Sequence, residues 1–130
     1  IRTAECCGVH GIIIPKRRSA SLNPTVAKTS AGALEYMKVA RVTNIANTID
    51  LLKSKGVWVF GADMDGEDFK LTDYTVPCAI VIGNEGKGIG TLTAKKCDKI
   101  ISLPMRGKIN SLNASVAAGL LMYEVFRNRK

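Results

Sequence analysis

Short uninterrupted runs of apolar residues alternate along the chain with segments whose apolar positions follow a helical period. The runs cover residues 11–14, 57–60, 78–82 and 100–103, with 38–42 as a weaker fifth. Runs without polar alternation are typical of strands covered on both faces, as in a parallel sheet. The pattern therefore predicts an α/β fold with a mainly parallel sheet and helices on both faces. Ligands in such folds bind at the loops that follow the carboxyl ends of the strands.

Four segments between and after these runs predict helices, at residues 24–36, 44–55, 91–97 and 113–129. The second places Ile45, Ile49 and Leu52 on one face and ends at Gly56, as expected for an amphipathic crossover helix. The last is almost entirely apolar or small over residues 114–123. It is therefore either an internal core helix or a helix that also packs across a subunit interface, and the pattern favours neither.

Length and cysteine usage narrow the class of protein. With 130 residues the chain can bury one sizeable core, so we expect one domain over 1–130, truncated at its N-terminus because Ile1 follows no initiator methionine. No apolar run is long enough for a membrane span. The four cysteines form no C-x-x-C pair and there is one histidine, so we expect no metal site. Cysteines of this kind indicate small buried hydrophobes in a reducing, cytoplasmic protein.

The net charge of +8 favours a polyanionic partner. Lys16, Arg17 and Arg18 follow the first predicted strand and are candidates for RNA backbone contacts, although a solvated charge run also explains Lys16 and Arg17. Cations at residues 127–130 close the last helix, where they suit the helix macrodipole better than they indicate RNA binding.

A glycine-rich loop at residues 83–90 follows the third strong apolar run. Four glycines allow a sharp turn and close approach to a ligand, but the loop matches neither the Walker nor the dinucleotide-binding pattern. Glu85 would repel phosphate and better suits a cation such as a sulfonium. A plain flexible turn explains the glycines nearly as well.

A second loop, residues 102–113, leads into the last helix. Ser111 or Asn113 is well placed to cap that helix. One helix start requires only one capping residue, and here two follow a basic loop that contains Arg106 and Lys108. The additional capping residue indicates a functional site.

These loops resemble signature motifs of the SpoU-TrmH RNA 2′-O-methyltransferases. The resemblance is carried by residues 82–88 (IGNEGKG), 101–105 (ISLPM) and 111–117 (SLNASVA), in the family's order and spacing. Residues 1–4 with Gly8 are similar to the end of the family's first motif. Residues 18–23 resemble the branch that methylates a guanosine of 23S ribosomal RNA.

The resemblance implies a deep trefoil knot at the carboxyl end, a rare exception to the rule against knots. It also implies a homodimer with the last helix in the interface, and S-adenosylmethionine bound in a bent form, largely through main-chain groups. The implied donor-binding residues are Gly83, Leu103 and Leu112, with Met105 and Ala62 as neighbours.

The implied reaction is methyl transfer to an RNA ribose 2′-hydroxyl, with Arg2, Glu85, Ser111 and Asn113 as the catalytic set. Arg2 matches the family arginine credited with activating the hydroxyl. A guanidinium stays protonated, so we interpret Arg2 as binding phosphate and stabilising charge on oxygen. The predicted target is a guanosine in 23S rRNA. A tRNA ribose methyltransferase, a non-catalytic knotted RNA-binding module and a small-molecule nucleotide-binding protein are the alternatives.

Overall fold

A computed structural model describes residues 1–16, 37–83, 88–107 and 113–129, except the side chain of Arg2. The chain divides into two compact units, Ile1–Ile45 and Ala46–Lys130. The helix predicted at 24–36 lies outside the described residues.

The first unit contains a short helix and two parallel strands. Helix α1 is Arg2–Cys6, strand β1 is Ile12–Pro15 and strand β2 is Val39–Val42. Ile12 lies opposite Val39 and Pro15 opposite Val42, as expected for two of the predicted apolar runs. The Lys16 amide extends the pairing by donating to the Val42 carbonyl at 2.8 Å, so Lys16 directly follows the strand, as predicted.

The second unit is built on a three-stranded parallel sheet. Helix α2 (Ile45–Ser54) begins at the boundary between the units and is followed by β3 (Trp58–Asp68) and a 3-10 turn (Phe69–Leu71). The remaining elements are β4 (Cys78–Val81), α3 (Thr91–Lys96), β5 (Lys99–Ser102) and α4 (Ala114–Arg127). Strand β3 lies between β4 and β5 and is parallel to both. The predicted α/β fold with parallel pairing is thus confirmed.

Strand β3 is longer than its apolar run. The run ends at Phe60 because acidic residues follow, yet the strand continues to Asp68. Its register against β5 shifts on the way, since Ala62 and Glu67 both lie opposite Ile101. Gly66 allows this shift, because a Cβ atom there would lie 2.6 Å from the Ile101 carbonyl carbon.

The core of the second unit contains Phe60, Tyr74, Ile101 and Leu121. The Phe60 and Tyr74 rings meet edge to face, with centroids 5.8 Å apart. Tyr74 donates its hydroxyl to the Phe69 carbonyl at 2.6 Å, and burial raises the pKa of the Tyr74 phenol. This phenol therefore stays protonated and acts as a structural donor.

The last helix is covered on one side only. Leu121 is its buried residue, whereas Val116, Leu120, Tyr123 and Phe126 are each 49–51% exposed. The interpretation of α4 as an internal core helix is therefore wrong for this chain, because its apolar pattern extends round more of the helix than the sheet covers.

The cysteines are less uniformly buried than expected. Cys6 is exposed, which corrects the prediction there, because it ends a five-residue helix that buries Ala4 instead. Cys7, Cys78 and Cys97 are half-buried. Burial raises the pKa of the Cys78 and Cys97 thiols, so both stay protonated near neutral pH and are poor nucleophiles.

Within the described ranges, no helix combines the length and apolar character that crossing a bilayer requires.

Candidate functional site

Three of the predicted donor-binding residues lie at the carboxyl edge of the second unit's sheet. Val81, the last residue of β4, lies opposite Gly61, so Gly83 follows the strand by two residues just beyond Ala62. Ala62 lies opposite Ile101 in β5, and Leu103 follows Ile101 by two residues. Ala62 and Leu103 both pack against the core. The edge therefore presents Gly83 and Leu103 from the two strands that flank Ala62.

The two described ends of the glycine-rich loop lie together at this edge. A Cβ atom at Gly83 would overlap the carbonyl group of Gly88 and lie 2.5 Å from the Ile89 amide nitrogen. Gly88 has a positive φ of 68°, a conformation that favours glycine. Position 83 therefore requires glycine, because the main chains at the two ends of the loop are in contact there. A turn that is merely flexible would not impose this requirement.

Asp63 of β3 lies beside the glycine-rich loop. A Cβ atom at Gly88 would lie 2.9 Å from Asp63 Oδ2, so the carboxylate occupies the space beside that glycine. Asp63 Oδ1 accepts a hydrogen bond of 2.7 Å from the Met64 amide. Sequence reasoning did not select Asp63. The only feature of the sequence that could have indicated Asp63 is that it is the first acidic residue after the apolar run at 57–60.

An open concavity of about 440 Å³ lies beside Asp63. Its lining residues are Asp63, Gly90, Thr91, Ala94 and Lys95. Helix α3 and the residue before it, Gly90, therefore line the concavity together with Asp63 of β3. The concavity carries a carboxylate, a hydroxyl and an ammonium group, and its lining is about equally polar and apolar.

The loop after β5 starts from a fixed point. Ser102 donates its hydroxyl to the Gly66 carbonyl at 2.8 Å, which ties the end of β5 to the returning part of β3. Leu103 is half-buried, and Met105 and Arg106 are exposed. Met105 is therefore accessible to a ligand, as its predicted role requires.

Asn113 caps the last helix. Its Oδ1 accepts hydrogen bonds from the amides of Ser115 at 2.9 Å and Val116 at 3.4 Å, and from the Ser115 hydroxyl at 2.7 Å. The capping alternative is confirmed at this position. A role for Asn113 at the reacting end of the site stays a prediction.

The remaining predicted residues are distributed differently. Lys16 is exposed after β1, and Arg2 begins α1, with its side chain outside the described part of the structure. Five further predicted residues also lie outside the described ranges: Arg17, Arg18, Glu85, Ser111 and Leu112. Among the described predictions, the structure brings together Ala62, Gly83 and Leu103.

The cations near the chain end serve the fold. Arg127 pairs with Glu124 through two contacts, of 3.1 and 2.9 Å, and this hydrogen bonding lowers the pKa of the Glu124 carboxyl. Arg129 Nε donates to the Tyr74 carbonyl at 2.9 Å, across 55 residues of chain. Their exclusion from the RNA-binding candidates agrees with these contacts.

The sequence profile of the SpoU rRNA Methylase family matches residues 1–123. The chain belongs to this family. The matched range includes Ala62, Gly83 and Leu103, the three predicted residues that lie at one sheet edge.

Relatives of this SpoU-family chain share both its sequence and its fold. It is 58% identical over 130 residues to YacO, a TrmH-family protein of Bacillus subtilis, covering 99% of this chain and 52% of YacO. It superposes on the SpoU methyltransferase AviRb from Streptomyces viridochromogenes, solved with AdoMet, with TM-score 0.88 and 30% identity, covering 97% of this chain and 52% of AviRb. It also superposes on the TrmH/SpoU tRNA modifying enzyme of A. aeolicus, with TM-score 0.89 and 28% identity, covering 98% of this chain and 65% of that enzyme. The chain spans about half the length of the curated relatives it matches.

Proposed function

We propose that this chain is the catalytic part of an S-adenosylmethionine-dependent RNA methyltransferase that modifies a ribose 2′-hydroxyl. The observation that carries the proposal is the meeting of Ala62, Gly83 and Leu103 at one sheet edge. A relative of the same fold, AviRb, has been solved with AdoMet. As in the family, the carboxyl-terminal part of the chain would form a deep trefoil knot.

The residues at this edge suit the methyl donor. The Gly88 carbonyl group occupies the space that a side chain at Gly83 would take, so the main chains of these two glycines lie together at the proposed donor-binding edge. Leu103 and Ala62 offer an apolar surface continuous with the core, and Met105 is exposed beyond Leu103. Gly83, Leu103, Leu112, Met105 and Ala62 would hold the donor.

The donor supplies a methyl group activated by its attachment to a sulfonium. The chain must hold the ribose hydroxyl in line with that methyl and favour loss of the hydroxyl proton as the new oxygen–carbon bond forms. Arg2 would stabilise the developing negative charge on oxygen, and Glu85, Ser111 and Asn113 would orient the ribose or one another. Lys16, Arg17 and Arg18 would contact the RNA backbone.

The exposed face of α4 supports a homodimer. Val116, Leu120, Tyr123 and Phe126 follow one another at intervals of four, three and three residues, so they form one continuous apolar face, here called the α4 face. An apolar helix face of this kind is typical of a subunit interface. A second copy of the chain would cover it.

Donor binding and methylation test the proposal separately. Isothermal calorimetry should detect binding of S-adenosylmethionine or its demethylated product. A tritiated-methyl assay on purified 23S rRNA and on tRNA should then show transfer to one of them, with rRNA the expected substrate and tRNA the alternative. Donor binding without transfer to either RNA would favour the non-catalytic RNA-binding module. Absence of donor binding at high ligand concentration would overturn the proposal.

Two substitutions at Asn113 separate capping from catalysis. Asn113→Ala removes the cap acceptor and should lower stability by about 1 kcal/mol, whereas Asn113→Asp keeps an acceptor oxygen and should retain the cap. If the side-chain amide acts on the reacting groups, both variants lose methylation, although only the first loses thermal stability. Wild-type turnover by Asn113→Asp would show that Asn113 only caps the helix.

A further inference from the structure

The concavity beside β3 presents two opposite charges to one space. Asp63 and Lys95 both line it, and so does Thr91, the first residue of α3. Among the described residues, neither Asp63 nor Lys95 forms an ion pair, although the neighbouring lysines do: Lys96 pairs with Asp50 and Lys99 with Glu67. The two charges are therefore available to a ligand that carries both signs.

This concavity borders the proposed donor-binding edge. Asp63 directly follows Ala62 in the chain, and its carboxylate lies against Gly88, which in turn contacts Gly83. A ligand held at Ala62 and Gly83 can thus extend one of its ends past Asp63. The volume of about 440 Å³ exceeds what a single amino-acid moiety needs, and the concavity is open to solvent.

We infer that this concavity binds the zwitterionic amino-acid end of the methyl donor. The Asp63 carboxylate would accept hydrogen bonds from the α-ammonium, and the Lys95 ammonium and Thr91 hydroxyl would bind the α-carboxylate. An RNA phosphate fits less well because Asp63 would repel it, and an uncharged nucleobase would not use both charges. The inference rests on the proposed function and adds side-chain contacts to main-chain binding of the donor.

Two ligands whose sulfur is an uncharged thioether isolate the contribution of the amino-acid end. S-adenosylhomocysteine and 5′-methylthioadenosine share the adenosine and the sulfur, and only the first carries the amino and carboxyl groups. Calorimetry on the wild-type chain should show tighter binding of S-adenosylhomocysteine. Asp63→Asn and Lys95→Met should each weaken it about tenfold, the loss expected for one charge-assisted contact. Their binding of methylthioadenosine should not change.

Asp65→Asn is the matched control, because Asp65 is an exposed acid in the same strand, β3, and does not line the concavity. It should leave both affinities unchanged. Equal weakening of both ligands by Asp63→Asn would assign Asp63 to loop structure and overturn the inference. Weakening of S-adenosylmethionine but not S-adenosylhomocysteine would place the sulfonium at Asp63 and also overturn it. A wild-type chain that binds none of the three ligands would instead overturn the proposed function.

Discussion

Gly83→Ala should weaken binding of S-adenosylmethionine by roughly 5- to 150-fold. The added Cβ would overlap the Gly88 carbonyl, so Gly88 must move away and the glycine-rich loop must open. Displacing a packed backbone by this much costs about 1–3 kcal/mol, and 1.4 kcal/mol corresponds to a factor of ten in affinity. Calorimetry measures the affinity, and thermal unfolding of the same samples reports whether the fold is retained.

Gly107→Ala provides the matched control for this experiment. Gly107 lies in the loop after β5, and a Cβ atom there would have no atom of the described residues within 4 Å. The same glycine-to-alanine change should therefore leave the affinity and the unfolding temperature unchanged. Wild-type affinity in a folded Gly83→Ala variant would contradict the placement of the donor at this edge. A loss that is equal in both variants would indicate a general effect of stiffening these loops.

Tyr123→Glu should convert the proposed homodimer into a monomer. Tyr123 lies within the α4 face, next to Phe126, with ring centroids 6.1 Å apart. A carboxylate without a partner in an apolar interface is strongly destabilising, by about 3 kcal/mol or more. Sedimentation velocity over a range of protein concentrations measures the change in mass, and near-wild-type circular dichroism would show that the monomer is folded.

Leu51→Glu controls for the effect of an added charge on an exposed apolar residue. Leu51 is 55% exposed on α2, outside the α4 face, so this variant should remain dimeric. A wild-type chain that sediments as a monomer at all concentrations would overturn the dimer proposal. A Tyr123→Glu variant that remains a dimer would assign the interface to another surface.

Local patterns predicted most of the strands and helices closely. The apolar runs located β1, β2, β4 and β5 to within one residue at either end, because strands are rich in apolar and β-branched side chains even where, as in β1 and β2, some of them are exposed. The same rule failed for β3. Its second part, up to Asp68, is acidic and joins the sheet through main-chain pairing with β5 and the Ser102 hydroxyl, which hydrophobicity does not register.

The apolar pattern of α4 predicted that a helix is present but not which of its sides is buried. It predicted an apolar helix from 113 to 129, and the helix is present at Ala114–Arg127. Which side would be covered depended on the single sheet face that Leu121 and Val125 reach. The residues that face away from it have the same composition, so no count of apolar positions could separate them.

The sequence by itself determined the strand-helix alternation, a cap at Ser111 or Asn113, the glycine-rich loop and the family motifs, because each depends on residues close together in the chain. Tertiary structure alone decided that Asp63 lies against Gly88, that Lys95 shares its concavity and that Arg129 binds the Tyr74 carbonyl. These partners are 25 to 55 residues apart. Asp63 meets Gly88 and shares a concavity with Lys95 because β3 is paired in parallel with both β4 and β5. The order of the strands depends on how the whole unit packs, so it cannot be predicted from a local sequence pattern.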